Sequence, residues 1–366
     1  MRRNDFHLAQ GIFNSLAATV LVVMLSGGMC FAQTNHEMQA SVTIHQTTAD
    51  LLAGLSKGVA YSGFRHGQHP DHGNGAVNPS DTEILEDLRI LARDHNFGLI
   101  RLYDSQANSE RALRLIKANK IKLKVMLGAW LSAEVSNPHC PWLNAPIPQA
   151  TLDANRIKNQ REIESAIRLA KKYPGIVAAV NVGNEALVDW NDHMVSLESV
   201  ISYVRQVKRA IRQPVTVADN YAWWTKHGAP LAKELDFVTV HTYPEWENKD
   251  IDEALSYSIA NIQGVHAALP QSRLVIGEAG WATVASEFGK RASEENQKRY
   301  VNELTAWAEQ HNITAFIFEA FDEDWKGDPS DALGAEKHWG LFTVDRKAKL
   351  AMHGLYRDLI SATSTK

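Results

Sequence analysis

The chain has 366 residues, 45 % of them hydrophobic and 22 % charged, with a formal net charge of −4. That length accommodates one large α/β domain with a sizeable core, and that balance is of an ordinary globular protein, not a disordered or membrane-embedded one. The small acidic charge lacks the basic stripe that a nucleic-acid footprint needs, so a neutral partner is expected.

Residues 1–32 read as a signal peptide: Arg2 and Arg3, an apolar run from Leu16 to Leu25, and the exit Cys30-Phe31-Ala32, with cleavage expected near Ala32. The run is about half the roughly twenty residues that span a bilayer, so a secreted or periplasmic protein without stable membrane insertion is expected. An uncleaved signal anchor is the alternative. Residues 33–56 are polar and read as a leader ahead of a single domain at 57–362. Cleavage would leave Cys140 as the one cysteine, which excludes an intramolecular disulfide and reads as a buried or idle thiol.

From Gly58 onward, short β-branched and apolar runs alternate with stretches of helical period. Strand-like runs lie at Gly58 to Gly63, Leu99 to Tyr103, Leu123 to Leu127, Val177 to Val182, Val215 to Ala218, Phe237 to Val240, Leu274 to Gly277 and Ala315 to Phe318. Helical patterns cover Asp81 to His95, Ser109 to Asn119, Asn159 to Tyr173, Leu197 to Ile211, Asp252 to Leu269, Glu294 to His311 and Lys349 to Ile360. This alternation predicts a (β/α)8 TIM barrel. A doubly wound open sheet has the same alternation, but the first strand lacks the third glycine and the helix start of a dinucleotide loop.

A parallel barrel builds its site where the strands end. The strand-like runs end in Arg101-Leu102-Tyr103-Asp104, Asn184-Glu185, Asp219-Asn220-Tyr221, His241-Thr242-Tyr243, Gly277-Glu278 and Glu319-Ala320-Phe321-Asp322-Glu323. Glu185 and Glu278 lie about three βα units apart, which predicts opposed positions at the barrel mouth. Two facing carboxyl groups can divide the work of glycoside cleavage, one protonating the departing oxygen while the other attacks the anomeric carbon or activates water. Taken singly, each is equally an ion-pair partner or a solvated carboxylate. Asn184 can offer its amide to a sugar hydroxyl and Trp281 an apolar wall, while Tyr61, Asp104, Asn220 and Tyr243 are further candidate substrate contacts.

Of the ten tryptophans, Trp130, Trp190, Trp223, Trp224, Trp246, Trp281 and Trp325 follow strand ends, and Trp142 and Trp339 lie in loops. Flat C–H faces of sugar rings stack on such aromatic planes, so the bias predicts an aromatic-lined glycan cleft. His66, His69 and His72 form a loop cluster whose spacing fits no zinc pattern, so no metal is expected. His241 reads as a substrate contact, an orienter of Glu278 or a satisfied rim residue.

These residues resemble glycoside hydrolase family 17, the β-1,3-glucanases and related transglycosylases, over most of Gly58 to Tyr356. Val182-Gly183-Asn184-Glu185 looks like the strand-four motif and Ile276-Gly277-Glu278-Ala279-Gly280-Trp281 like the strand-seven motif. The resemblance implies that Glu185 is the acid/base, that Glu278 is the nucleophile, that configuration is retained and that no cofactor is used. Phe318 to Lys326, followed by Glu336 to Phe342, is similar to the strand-eight region, where Glu323, Lys326 and Glu336 match a charged network beneath the substrate. The chain departs from plant members in the histidine-bearing loop Phe64 to Asn74 and in Trp339 before Gly340, differences that touch subsites. The expectation is a monomeric retaining β-1,3-glucan hydrolase. Glucanosyl transfer by the same first step, cleavage of another β-glycan and non-catalytic glucan binding stand as alternatives.

Overall fold

The computed structural model describes residues 44–71 and 75–361. Eight parallel strands close into one barrel in chain order: β1 (Lys57–Ala60), β2 (Leu99–Arg101), β3 (Lys124–Ala129), β4 (Val177–Asn184), β5 (Val215–Asn220), β6 (Val238–His241), β7 (Leu274–Ala279) and β8 (Ala315–Ile317). Pairing of Lys57 with Ala315 and of Val59 with Ile317 closes the ring between β1 and β8. The expected strands therefore all form, and closure excludes the open sheet.

The helices are α1 (Asp81–Ala92), α2 (Ala107–Asn119), α3 (Gln149–Lys172), α4 (Leu197–Ala210), α5 (Tyr221–His227), α6 (Ala229–Ala232), α7 (Ile251–Ala268) and α8 (Glu294–Gln310). Each forms for local reasons that its packing then exploits. Ser80 and Glu83 make a capping box that starts α1, and Ile84, Leu88 and Leu91 repeat at helical spacing and are buried against the strands. Val200, Val204 and Val207 make the same stripe on α4.

Successive strand residues serve two cores, as a period of two requires. Ile100, Val125, Val180 and Val238 face outward into the main core under the helices. Leu99, Met126, Ala179, Phe237, Val275 and Phe316 fill the lower barrel interior together with Leu52. Gly58 admits Phe316 there, because a Cβ on it would lie 2.6 Å from that ring.

Three expectations are corrected. Residues 44–56 are no leader: Ile44 and Leu52 are buried, Gln46 bonds both the N–H and the C=O of Leu274, and the Leu52 N–H donates to Thr314 Oγ1 at 2.8 Å. They close the floor of the barrel. No helix spans Lys349 to Ile360; that stretch forms turns and a 3-10 turn at Arg357–Leu359. Its apolar spacing is met differently, Met352 and Tyr356 being buried while the Tyr356 hydroxyl donates to Ile90 O. Finally, α3 starts at Gln149, ten residues before the expected Asn159, because its first turns bury little beyond Leu152 and carry no apolar stripe to announce them. The proposed signal peptide lies outside the described residues. Among the described residues, no helix is long and apolar enough to cross a membrane.

Candidate active site

Parallel pairing puts every strand's C-terminal end at one rim, and the backbone at that rim is deliberately irregular. The β4–β5 register shifts between Asn181 and Asn184. Gly183 and Glu185, on either side of Asn184, both take left-handed conformations with φ of 82° and 47°. Glycine does this freely, whereas Glu185 carries strain of about 1 kcal/mol or more. Its backbone is held there from both sides, its N–H donating to Ala218 O and its carbonyl accepting from Asn191.

A second shift, between Val240 and His241, sets His241 beside Glu278 across the β6–β7 pair. His241 is fully buried and lies between the two glutamates, its Nδ1 at 2.9 Å from Glu185 Oε1 and 3.5 Å from Glu278 Oε2. Those two oxygens are therefore no further apart than the two distances laid end to end, about 6.4 Å. This falls below the roughly 6.5–9.5 Å separation of inverting enzymes and is compatible with the roughly 5–5.5 Å of retaining ones. Gly277 makes the arrangement possible, since a Cβ there would come within 2.3 Å of Thr239 and 3.1 Å of His241 Nε2.

Glu278 is buried among donors. Arg101 Nη1 lies 2.5 Å and the Tyr103 hydroxyl 2.9 Å from its Oε1, and the Tyr243 hydroxyl lies 2.5 Å from its Oε2. Burial pushes this carboxyl's pKa up, but His241, Arg101 and the two phenols together outweigh it and hold the group at about 2. Glu278 is thus a desolvated but ionised carboxylate, the state an attacking oxygen requires. Glu185 sits at the open side, its side chain 24 % exposed. Arg101 also donates to Asn184 Oδ1, which turns the Asn184 amide N–H groups away from the guanidinium.

Behind the pair, Lys326 Nζ lies 2.7 Å from Glu319 Oε2 and 2.6 Å from Glu323 Oε2, while Ser62 donates to the other oxygen of Glu323. Burial opposes the ammonium charge, yet the two carboxylates keep the Lys326 pKa well above its ordinary value. Burial pushes Glu336 up; Lys326 partly offsets this, and the Glu278 and Glu185 charges add to the rise. Lys326 therefore bridges Glu323 and Glu319, the latter not among the expected members, while Glu336 is buried within electrostatic reach of Lys326.

Several candidate contacts make structural interactions of their own. Trp281 is fully buried, packs on Tyr300 and donates to Arg291 O. Tyr61 is buried with its hydroxyl 3.3 Å from Asp87 Oδ2. Asp104 accepts from Gln106 N and Ser109 Oγ at the start of α2, and Asn220 Oδ1 caps α5 by accepting from Ala222 N. Core packing also claims Trp224 and Trp339, so the tryptophan bias is only partly a surface property. Of the histidine cluster, His66 pairs with Asp324 at 2.5 Å and Asp345 at 3.5 Å, and His72 lies outside the described residues. Cys140 is a buried free thiol.

The residues that were missed as site members, Arg101, Tyr103 and Glu319, stand in the quoted strand ends. Arg101 and Tyr103 continue the inward-facing alternation begun by Leu99, so a polar side chain at such a position was the available clue.

Comparison with known proteins agrees with this geometry. A family model described as the BtgE/BtgC glycoside hydrolase domain matches residues 58–340. A glucan 1,3-beta-glucosidase of Arthroderma benhamiae is 30 % identical over 275 residues, covering 68 % of this chain and 78 % of that protein. A probable glucan endo-1,3-beta-glucosidase, btgC, of Aspergillus clavatus is 25 % identical over 297 residues, which are 74 % of this chain but only 39 % of that longer protein. Among solved structures, an endo-laminarinase from Formosa superposes with a TM-score of 0.70 at 26 % identity, covering 85 % of this chain and 89 % of that one. A Rhizomucor miehei beta-1,3-glucanosyltransferase shares the fold at a TM-score of 0.61 and 24 % identity, over 83 % of this chain and 97 % of that one. With its two carboxyl groups facing one buried histidine at the rim of a closed barrel, the chain belongs to the BtgE/BtgC glycoside hydrolase family.

Proposed function

We propose that this chain is a retaining β-1,3-glucan hydrolase of the glycoside hydrolase family 17 type. The observation that carries the reading is the shared hold of His241 on Glu185 and Glu278, which keeps a proton carrier and an ionised carboxylate within reach of one glycosidic bond. Glu278, attacking the anomeric carbon, forms a glycosyl ester while Glu185 delivers its proton to the departing oxygen. Glu185 then takes a proton from the incoming water, which attacks the same carbon and releases Glu278. Arg101, Tyr103 and Tyr243 hold the attacking carboxylate in its charged state and fix its direction. The names of the relatives and of the Formosa enzyme support β-1,3-glucan as the substrate class.

Laminarin turnover by Glu278→Ala tests the assignment, with a fall of at least about 10³-fold expected from loss of the nucleophile. NMR of the first-formed product should show the β-anomer. Wild-type-like turnover by the variant, or an α-anomer, would overturn the mechanism. Transfer to a second glucan is the other reading, favoured by exposed tryptophans in the loop that follows Glu185 and the loop before α3. Export to the periplasm or beyond is proposed from residues 1–32 alone.

A further inference from the structure

The net charge of −4 conceals how unevenly charge is spread, because the floor of the barrel, at the opposite end of the strands from the two glutamates, is basic. Three neighbouring loops, those leading into β3, β4 and β5, meet there. The first, with the last turn of α2, carries exposed Lys117, Lys120, Lys122 and Lys124. The second carries exposed Lys171, and the third exposed Arg209 and Arg212. These runs lie far apart in sequence, so no continuous basic stripe announces them. Hydrogen bonds join the loops into one surface: Lys124 Nζ donates to Gly175 O at 2.6 Å, Val125 N to Ile176 O and Val180 N to Pro214 O. The acids at its border are already paired, Glu110 with Arg168 and Lys172, Glu234 with Arg205, and Asp236 with Lys208. Among the described residues, none of the seven exposed cations has a carboxylate partner. A cation in the last turn of a helix complements the helix dipole, which accounts for Lys117, Lys171 and Arg209. Lys120, Lys122 and Arg212 lie beyond the helix ends, where no dipole or carboxylate calls for them. Like charges gathered in this way repel one another, and an anionic partner relieves that repulsion.

The same face is where the chain enters the domain. Gln46 bonds at the starts of β7 and β8, and Leu52 and Ala53 lie beside Lys124, Gly175, Gln213 and Arg273 around a shallow cavity of about 290 Å³. Everything before Ile44, including the apolar run from Leu16 to Leu25 and the Arg2-Arg3 pair, is therefore joined to the domain at its basic floor. We propose that this floor docks on a bilayer surface rich in anionic phospholipid, whose phosphate head groups act as counter-ions to the seven cations. Clusters of roughly four to eight basic side chains next to a membrane-directed segment suit such a surface. Docked in this way, the barrel stands on its floor and the cleft at the opposite rim opens away from the membrane. A single-stranded nucleic acid fits less well, because its bases stack on exposed aromatic rings. The one aromatic residue of these loops, Tyr173, is buried beneath Lys117 and Lys172. The inference concerns binding and not the reaction, so it is independent of the catalytic reading.

Sedimentation of the full chain with vesicles tests this, using phosphatidylcholine alone and phosphatidylcholine mixed with phosphatidylglycerol, at low and at high salt. The quantity read is the ratio of the two affinities, in which any contribution of the apolar run cancels. A floor variant, Lys122→Glu with Lys171→Glu and Arg212→Glu, takes one cation from each loop. A control variant, Lys290→Glu with Lys298→Glu and Lys347→Glu, makes the same change of charge at exposed residues outside the floor. All six side chains are exposed, and matching thermal midpoints verify that both variants fold. The unsubstituted chain should prefer the anionic vesicles, and the preference should shrink with salt, because exposed charges are screened within about 8 Å at physiological ionic strength. Each cation close to such a surface strengthens binding roughly fivefold, so the floor variant should lower the ratio by at least about 100-fold and the control by less than about tenfold. An equal loss in both variants would reduce the effect to net charge and overturn the proposal, as would a ratio near unity for the unsubstituted chain. Tighter binding to single-stranded RNA than to the anionic vesicles, lost in the same floor variant, would overturn it too by giving the surface a different partner.

Discussion

Glu278 bears a charge where burial alone would neutralise it, and the nearby His241 with three donors, Arg101, Tyr103 and Tyr243, explains why. Because its pKa is held near 2 by those partners, removing one raises it, and the acidic limb of the rate profile moves to higher pH. Tyr243→Phe deletes a 2.5 Å hydrogen bond to the carboxylate and should lower kcat/KM roughly 10- to 100-fold, the worth of a hydrogen bond to a charged group. A pH–rate profile of the variant checks this: a reduced rate on an unmoved acidic limb would reduce Tyr243 to a purely steric role. At this scale the sequence was legible where a residue type announces its chemistry, as at Glu185, Glu278 and Asn184. It misled where direction matters. Tyr61 and Trp281 stand at strand ends like the residues that converge at the rim, but their side chains turn into the core, towards Asp87 and Tyr300.

Among the elements, residues 44–56 changed most between expectation and structure. Their polar composition hides two anchors, Ile44 and Leu52, and one bidentate side chain, Gln46, whose partners lie more than two hundred residues away, at Leu274 on β7 and at Asn312 ahead of β8. Leu52 joins Leu99, Met126, Phe237 and Phe316 in the lower interior. Leu52→Ala should therefore cost about 2–5 kcal/mol, as for other buried leucines. Urea unfolding measures it, with kcat expected to be unchanged because the floor lies at the opposite end of the strands from the site. A loss of only a few tenths would mean that the segment is loosely attached after all. The turns at residues 350–355 carry the complementary lesson: Met352 and Tyr356 fall at helical spacing, yet Gly354 and the Ala348 N–H to Leu359 O bond favour a compact turn. Spacing reports which residues are buried, and it does so for both conformations.

The whole molecule keeps a dense layer of charge under the rim of its barrel. Burial raises the Glu319 pKa well above the ordinary carboxylate value; Lys326 pulls it back, and Glu323 raises it further. A carboxyl with a raised folded pKa binds its proton more tightly in the native state, so its contribution to stability falls as pH rises above the unfolded value. Lys326→Met removes the counter-charge from two buried carboxylates and should destabilise the protein by roughly 3–5 kcal/mol at pH 8. Part of that loss should return at pH 5, where the orphaned Glu319 carboxyl, its pKa raised by burial, can be protonated. Denaturant midpoints of the variant and the unsubstituted chain across this range test it; an equal loss at both pH values would show that Lys326 acts by packing alone.

The order of strands and helices, the apolar stripes and the two glutamates could be read from the chain itself, because period and residue type are local properties. Closure of the barrel decided the rest. Only pairing of β1 with β8 and the register shifts on β4 and β6 bring Arg101, Glu185, His241 and Glu278 to one point. A contact between side chains on different strands depends on register and direction, and neither is written in the spacing of a single segment.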